Sequence, residues 1–233
     1  MPAVSSASVS GSGNAGGGLR RVDYAQALEI QHGLVRRRAA GEIPDLVWYL
    51  EHPPVVTWGS KGGAGHLRRP VEEIAGRGIQ VLPTERGGDI TWHGPGQLVG
   101  YPIVALGQDR DLHRYLRSLE EALIGALAEH RIPCGPVAGR TGVWTGGAKI
   151  AAIGVRVSHW IASHGFALNI DCDLSGFDLI VPCGIADAGV TSMALELARQ
   201  GLGTPPALEV VASVHRHLER VLGRPLRKVL EAP

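Results

Sequence analysis

Apolar residues recur with a helical period in three parts of the chain. Tyr24, Leu28 and Val35 fall on one side of a helix predicted from Val22 to Arg38. The two other segments predict longer amphipathic helices, with apolar residues at Leu112, Tyr115, Leu116, Leu119, Leu123 and Leu127, and at Leu208, Val211, Val214, Leu218 and Val221. Asp109 or Asp111 is the expected N-cap of the first of these two helices.

Short apolar runs bounded by Pro, Gly or polar residues predict β-strands. The runs are Leu46 to Leu50, Val55 to Trp58, Ile79 to Leu82, Leu98 to Val104, Lys149 to Val157 and Gly165 to Ile170. Ser163 and His164 are expected to form a hairpin-like connection between the last two strands. Because helices and strands mix without regular βαβ alternation, we expect a single α/β (α+β) domain built on a mixed sheet.

The first 18 residues differ in composition from the rest of the chain. They are rich in Ser, Gly and Ala, and they lack the basic and apolar regions of a signal peptide. We therefore predict a disordered tail over residues 1–18 and a folded domain over residues 19–233. No run of 18 apolar residues exists, so no membrane span is expected.

Charge and cysteine content exclude several classes of function. Lys and Arg number 23 against 22 Asp and Glu, so the chain has no overall field that would favour nucleic acid or a membrane. Cys134, Cys172 and Cys183 are too few and too irregularly spaced for a disulfide framework or a structural zinc site. We expect a reduced, cytoplasmic setting, with no metal and no cofactor.

The densest group of chemistry-bearing residues is RGGDITWHGPGQ, residues 86–97. Its glycines would let a ligand approach the backbone, and Trp92 would supply apolar surface for an alkyl chain. A structural turn with a satisfied histidine is the competing interpretation. The segment lacks the Gly and Lys spacing of a phosphate loop, so it gives no support for nucleotide binding.

Two further residues are candidates for catalysis. Cys183 stands between Pro182 and Gly184, a constrained context that suits a nucleophile if a nearby cation or base lowers its pKa. Lys149 leads into an apolar strand, and partial burial would let it exchange protons near neutral pH. On these residues alone, a buried structural thiol and a solvated lysine remain open. The segment Ser163 to Asn169 could equally line a pocket or turn the chain.

Together these segments resemble the lipoate-biosynthesis octanoyltransferases over residues 22–223. The family signature R-G-G-x-x-T-x-H-x-x-G-Q-x-x-x-Y is present as RGGDITWHGPGQLVGY from Arg86 to Tyr101. The P-C-G-I context of the family's cysteine is present at Pro182 to Ile185. The family's lysine, followed by A-x-G, corresponds to Lys149 and Ala152 to Gly154.

The resemblance implies a fold, a reaction and a site. The fold would be that of the catalytic domain of biotin and lipoate protein ligases. Cys183 would take the octanoyl group from octanoyl-acyl carrier protein as a thioester, and Lys149 would lower the pKa of that thiol and handle the proton of the incoming amine. The pocket would be lined by Arg86, Gly87, Gly88, Asp89, Ile90, Thr91, Trp92, His93, Ala152, Ile153, Gly154, Gly165, Phe166 and Ala167, although Asp89 occupies a variable motif position and is assigned no role.

The acceptors implied by the resemblance are lysines on the lipoyl domains of 2-oxoacid dehydrogenase complexes and on the glycine cleavage H protein. Transfer to them would be the first step of endogenous protein lipoylation. Arg36, Arg37 and Arg38, or Arg68 and Arg69, are candidates for receiving the acidic carrier protein. A solvated charged face is an equally open interpretation of these arginines.

Three alternative functions stay open at this point. An ATP-dependent lipoate or biotin protein ligase would share the fold, although the G-R-G-R type loop of biotin ligases is absent and such enzymes do not require Cys183. An octanoyl–lipoyl amidotransferase would share the thioester chemistry but use another donor. An inactive acyl-binding or carrier-binding protein would form no acyl adduct.

Overall fold

The computed structural model describes residues 18–108, 110–181 and 189–233. Its α-helices are α1 (Tyr24–Ala39), α2 (Val71–Gly76), α3 (Leu112–Glu129), α4 (Met193–Ala198) and α5 (Ala207–Leu222). Its strands are β1 (Leu46–Leu50), β2 (Val55–Trp58), β3 (Gln80–Pro83), β4 (Ile90–His93), β5 (Gln97–Ala105), β6 (Gly135–Val137), β7 (Arg140–Thr145), β8 (Ala148–Ser158), β9 (Ile161–Asn169) and β10 (Arg227–Val229). Two short 3₁₀ helices cover Ala64–His66 and Leu174–Leu179. The expected nucleophile Cys183, the possible cap Asp109 and tail residues 1–17 lie outside the described residues.

The strands form two mixed sheets. The larger sheet has the order β10-β1-β5-β9-β8-β7-β6, in which β1 and β10 are parallel and the other neighbours antiparallel. The smaller sheet has the order β3-β2-β4, with β2 and β3 parallel. The expected α/β domain with a mixed sheet is confirmed. The larger sheet ends in two three-residue strands, β10 with Arg227 and Lys228 at one edge and β6 with Pro136 at the other.

Helices cover both faces of the larger sheet. Because successive strand residues point to opposite faces, Val47 and Tyr49 of β1 pack with α3 and α5, while Trp48 packs with α1. Helix α3 begins after Asp111, whose carboxylate accepts a hydrogen bond from the Arg114 N–H at 3.0 Å, so the predicted N-cap at Asp111 is confirmed. Across the described part of the chain, no helix combines the length and the apolar character needed to cross a membrane.

The hairpin between β8 and β9 turns at a different place from the one predicted. His159 and Trp160 form the turn, with φ of 51° and 60°, the left-handed geometry of a tight two-residue hairpin. Ser163 and His164 instead lie inside β9, and both are buried. The prediction failed because polar residues were taken as a turn signal, whereas the N–H of His164 is satisfied by the Gln31 side chain at 2.8 Å.

Candidate active site

A cavity of about 300 Å³ opens between the larger sheet, the start of α1 and residues 86–93. Its apolar wall comes from the neighbouring strands β5 and β9 and includes Val99 and Ala167, which pack on the α1 side of the sheet. The volume is at the lower end of the range for small-molecule pockets. The cavity therefore combines an apolar wall with buried polar and charged groups, among them Arg86 and His93.

Most residues predicted to line a pocket do line this cavity: Arg86, Gly88, Asp89, Ile90, Thr91, His93, Ala152, Ile153, Gly154, Gly165, Phe166 and Ala167. Gly87 and Trp92 do not. The N–H of Gly87 donates to the Val155 carbonyl at 2.8 Å, which fixes the loop to β8. Trp92 lies on the other face of β4 from His93 and packs edge-on against Phe177, with ring centroids 5.5 Å apart. Its indole therefore belongs to the core of the smaller sheet and not to the apolar wall expected for an alkyl chain.

Sequence reasoning missed a second set of lining residues: Tyr24, Lys61, Val99, Tyr101, Gly139, Arg140, Thr141, His164, Asn169, Phe177 and Val190. Some carried a signal. Tyr101 ends the family signature, and His164 and Asn169 belong to the segment that could line a pocket or turn the chain. Arg140 had no signal, because nothing in its local spacing indicates that β7 reaches the cavity.

Arg86 fixes the glycine-rich loop from inside. Its guanidinium donates to the Thr57 carbonyl and hydroxyl at 2.9 and 3.0 Å, and to the Gly87 carbonyl at 3.2 Å. Glycines make room for this arrangement, since a Cβ at Gly59 would lie 2.5 Å from the Arg86 carbonyl oxygen and one at Gly154 would lie 2.8 Å from the Gly87 oxygen. The loop thus places a buried positive charge at the cavity wall.

Three histidines at or beside the cavity are held in the neutral form. Burial, followed by the charge of Arg86 among other groups, lowers the pKa of His164 to about 3. Burial also lowers the pKa of His93 to about 3 and that of His52 to about 4. The Tyr101 hydroxyl donates to His52 Nε2 at 2.7 Å while His52 Nδ1 donates to the Val22 carbonyl at 2.6 Å. At neutral pH these rings are therefore hydrogen-bonding groups and not charged ones.

Lys149 reaches the cavity from the start of β8. Its N–H donates to the Gly189 carbonyl at 2.9 Å, and its own carbonyl accepts from the Thr191 N–H at 3.0 Å. Its Nζ lies 4.8 Å from the centroid of the Trp144 ring. Val181 is the last described residue before residues 182–188, and its N–H donates to the His66 carbonyl at 2.8 Å. The next described residue is Gly189, the backbone partner of Lys149.

A family model described as the lipoyl protein ligase A/B catalytic domain matches residues 23–218. The match covers the cavity residues, strands β1 to β9 and helices α1 to α4; it ends within α5, before β10. The chain belongs to the lipoyl protein ligase A/B family. Solved structures show a similar fold. Ta0514, described as a putative lipoate protein ligase from T. acidophilum, superposes with a TM-score of 0.70 at 14% identity, over 90% of this chain and 85% of that one.

A lipoate-protein ligase A bound with ATP gives a TM-score of 0.69 at 15% identity, over 92% of this chain and 89% of the other. Within the lipoyl protein ligase A/B family, much closer relatives are curated as octanoyltransferases. That of Chloroflexus aggregans is 50% identical over 196 residues, 82% of this chain and 87% of the relative. That of Rubrobacter xylanophilus is 50% identical over 204 residues, 87% of this chain and 90% of the relative. The expected octanoyltransferase family, and with it the acyltransferase class, is confirmed.

Proposed function

We propose that this family member transfers an octanoyl group from octanoyl-acyl carrier protein to a lysine of a lipoyl domain, through a thioester on Cys183. The observation that carries the proposal is the position of Lys149. Its amine lies at an apolar cavity, and its backbone is bonded to the segment that directly follows residues 182–188. Residues 182–188, which include Cys183, are followed directly by Gly189, whose carbonyl accepts from the Lys149 N–H.

The cavity suits a straight acyl chain. Val99 of β5 and Ala167 of β9 pair directly across the two strands and line the cavity. Burying each methylene of an acyl group against such a wall contributes about 0.8 kcal/mol. Buried polar groups, among them Arg86 and His93, line the same cavity and would face the reacting carbonyl.

The proposed reaction has two balanced steps. The Cys183 thiolate attacks the thioester carbonyl, so a new S–C bond forms while the carrier's S–C bond breaks. The carrier leaves as its thiol after taking a proton from the Lys149 ammonium. The lysine amine of the acceptor then attacks the same carbon; an N–C bond forms, the Cys183 S–C bond breaks, and the amine proton is lost. Thioester exchange is nearly balanced and amide formation is downhill, so neither step needs ATP.

Lys149 supplies the proton chemistry in this scheme. As an ammonium it favours the thiolate of Cys183, and as an amine it accepts the proton released by the incoming lysine. A group that moves a proton in the transition state contributes about 10²–10⁴-fold in rate. The neutral histidines of the cavity wall orient reacting groups through hydrogen bonds instead.

Carrier docking is proposed at Arg68 and Arg69 in preference to Arg36 and Arg37. Both Arg68 and Arg69 are exposed, and the N–H of Arg68 donates to the Leu179 carbonyl at 2.8 Å, just before residues 182–188. Arg36 and Arg37 lie near the far end of α1, about 18 Å along the helix from the cavity residue Tyr24. The third candidate there, Arg38, is paired with buried Asp45 at 2.5 Å.

The proposed acceptors are the lipoyl domains of 2-oxoacid dehydrogenase complexes and the glycine cleavage H protein. A thiol nucleophile must stay reduced between turnovers, so we propose that the reaction takes place in the cytoplasm.

Intact-mass analysis after mixing with octanoyl-carrier protein tests the proposal. We expect a gain of one octanoyl group, mapped to the peptide that contains Cys183, and no gain in Cys183→Ser with an unchanged circular dichroism spectrum. Adenylate formation from octanoic acid and ATP would instead indicate a ligase. Acylation by an octanoylated lipoyl protein but not by the carrier would indicate an amidotransferase, and no adduct from either donor would indicate a binding protein.

A further inference from the structure

Asn169 lies in the middle of a buried hydrogen-bond chain beside the cavity. Its side chain is 4% exposed; its Nδ2 donates to the Thr191 carbonyl at 2.9 Å, and its Oδ1 accepts from Gln97 Nε2 at 2.9 Å. Gln97 is also buried, and its Oε1 lies 2.7 Å from His93 Nδ1. The chain therefore joins His93 on the cavity wall to Thr191, a backbone partner of Lys149.

Backbone carbonyls determine the direction of every bond in this chain. The Thr191 oxygen can only accept, so Asn169 presents Nδ2 to it and Oδ1 to Gln97. Gln97 must then present Nε2, which also lies 3.3 Å from the Trp92 carbonyl, a second group that can only accept. Its Oε1 is left facing His93, so His93 carries its proton on Nδ1 and keeps the lone pair on Nε2.

At its other end the chain reaches the backbone of Lys149. Thr191, whose carbonyl accepts from Asn169, also donates its N–H to the Lys149 carbonyl at 3.0 Å. Gly189 accepts from the Lys149 N–H at 2.9 Å, and Val190 between them forms a parallel bridge with Lys149. The Asn169 amide thus bonds residues 189–191 to β9, and the backbone of the same three residues bonds to the start of β8.

We propose that Asn169 is a positioning residue of the transfer reaction, an inference that rests on the proposed function. Through Thr191 it holds the backbone that presents the Lys149 amine, and through Gln97 it holds His93 with Nε2 as a hydrogen-bond acceptor. A neutral acceptor on the cavity wall suits an incoming group with an N–H, such as the acceptor lysine. The Asn169 side chain therefore determines both where the Lys149 amine is held and which ring nitrogen of His93 carries the proton.

Asn169→Asp tests this inference because it changes one atom and one bond. The introduced carboxyl accepts from Gln97 in either form, but it can donate to the Thr191 carbonyl only when protonated. Burial raises the pKa of such a carboxyl, so the bond should be present in acid and lost as the pH rises. We expect the ratio of variant to wild-type kcat to fall about tenfold across this transition, with a smaller change in KM.

The other ionisable groups near these hydrogen bonds are present in both the wild type and Asn169→Asp, so their own titration cancels in the ratio of the two kcat values. They are His93 at one end, and Lys149 and Glu196 at the other, where Glu196 accepts from the Thr191 hydroxyl at 2.5 Å. Ser213→Ala is the matched control for lost stability. It removes a buried hydroxyl that donates to Glu129 on α3, far along the chain from the cavity residues, and its kcat ratio should not vary with pH.

Amide hydrogen exchange gives a second measurement that needs no activity. The N–H groups of Lys149 and Thr191 should exchange faster in Asn169→Asp than in the wild type once the carboxyl ionises, and at the wild-type rate in Ser213→Ala. If the variant unfolds at neutral pH, both measurements are made in acid and upward from there, where the protonated carboxyl retains both bonds.

The outcomes separate this inference from the function on which it rests. Faster exchange together with a falling kcat ratio supports the positioning role. Unchanged exchange, or faster exchange with a flat kcat ratio, overturns it. If the wild-type protein transfers no octanoyl group, the proposed function fails, and exchange at Lys149 alone then supports or overturns the structural role of Asn169.

Discussion

The Lys149 amine lies against the face of the Trp144 indole, with Nζ 4.8 Å from the ring centroid. Trp144 and Lys149 are paired across β7 and β8, so the ring and the amine share one side of the sheet. The face of an indole attracts a cation and restricts where a flexible side chain places its charge. The pair therefore restricts where the amine of Lys149, a residue that lines the cavity, is held.

Lys149→Arg should lose most acyl transfer, by about 10²–10⁴-fold in kcat, because a guanidinium cannot give up its proton near neutral pH. Steady-state transfer from octanoyl-carrier protein to a lipoyl domain measures the loss. Lys228→Arg is the matched control, since this exposed lysine lies in the edge strand β10. Wild-type turnover in Lys149→Arg would exclude the proposed proton transfer.

Gly154→Ala should damage the site through the glycine-rich loop. The added Cβ would lie 2.8 Å from the Gly87 carbonyl oxygen and 3.1 Å from Arg86 Cδ, so the loop or the strand must move. Since a small misplacement of reacting groups is costly, we expect kcat/KM to fall at least about tenfold. Gly135→Ala adds the same methyl group where nothing lies within 4 Å, and it should retain activity.

Ala167→Leu should shift the acyl preference to shorter chains, because the larger side chain takes up cavity space next to Val99, its cross-strand partner. Each excluded methylene removes about 0.8 kcal/mol of binding, roughly fourfold in affinity. The measurement is kcat/KM for butanoyl, hexanoyl and octanoyl carrier proteins. Ala25→Leu, on the exposed side of α1, is the control; an unchanged chain-length profile in Ala167→Leu would place the acyl group elsewhere.

Reversing charge at Arg68 and Arg69 together, each to Glu, should raise the KM for the acidic carrier protein about tenfold at low salt with little change in kcat. The matched double variant at Arg36 and Arg37 should have a smaller effect, because those residues lie at the far end of α1. Added salt should narrow the difference between the two variants. Equal effects of both pairs would count against a localised docking surface.

Stability should decline on mild acidification because of the buried histidines. Burial lowers the folded-state pKa of His52 to about 4 and those of His93 and His164 to about 3, so below about pH 6.5 the unfolded chain binds more protons. Their contribution is complete above that pH and is lost as the pH falls, by roughly 1 kcal/mol per pH unit for each ring. Denaturant unfolding from pH 7.5 to 5 measures the slope.

His164→Asn should reduce that slope by about a third, since one of the three titrating rings is removed. Asparagine tolerates the positive φ of 56° at this position. The ring nitrogen Nδ1 of His164 has no hydrogen-bond partner among the described residues, so the replacement leaves no side-chain bond broken there. An unchanged slope would show that His164 does not titrate on unfolding.

The elements with strong periodicity were predictable from the sequence. Helices α3 and α5 and strands β1, β2 and β5 lie close to their predicted bounds. One buried face determines the period of each helix, and burial on both faces determines the apolar run of each strand. The face of α1 was harder to predict. Leu28 and Val35 are only partly buried, whereas Gln31 is 1% exposed, because its side chain accepts from the backbone of β9.

The candidate site was predictable where one contiguous motif forms a wall, as residues 86–93 do. It was not predictable where distant elements meet. Tyr24 and Arg140 are more than a hundred residues apart and reach the same cavity through sheet order, which local spacing does not encode. Trp92 was assigned to the pocket from composition, although strand alternation directs it into the core of the smaller sheet.

The short border strands of the larger sheet bear on how the protein behaves at high concentration. A sheet border with free N–H and C=O groups is a template on which another chain can assemble into fibrils. Pro136 has no N–H to offer such a chain at β6, and the cationic pair Arg227 and Lys228 repels a second copy approaching β10. Both edges of the larger sheet therefore discourage further copies of the protein from adding to it at high concentration.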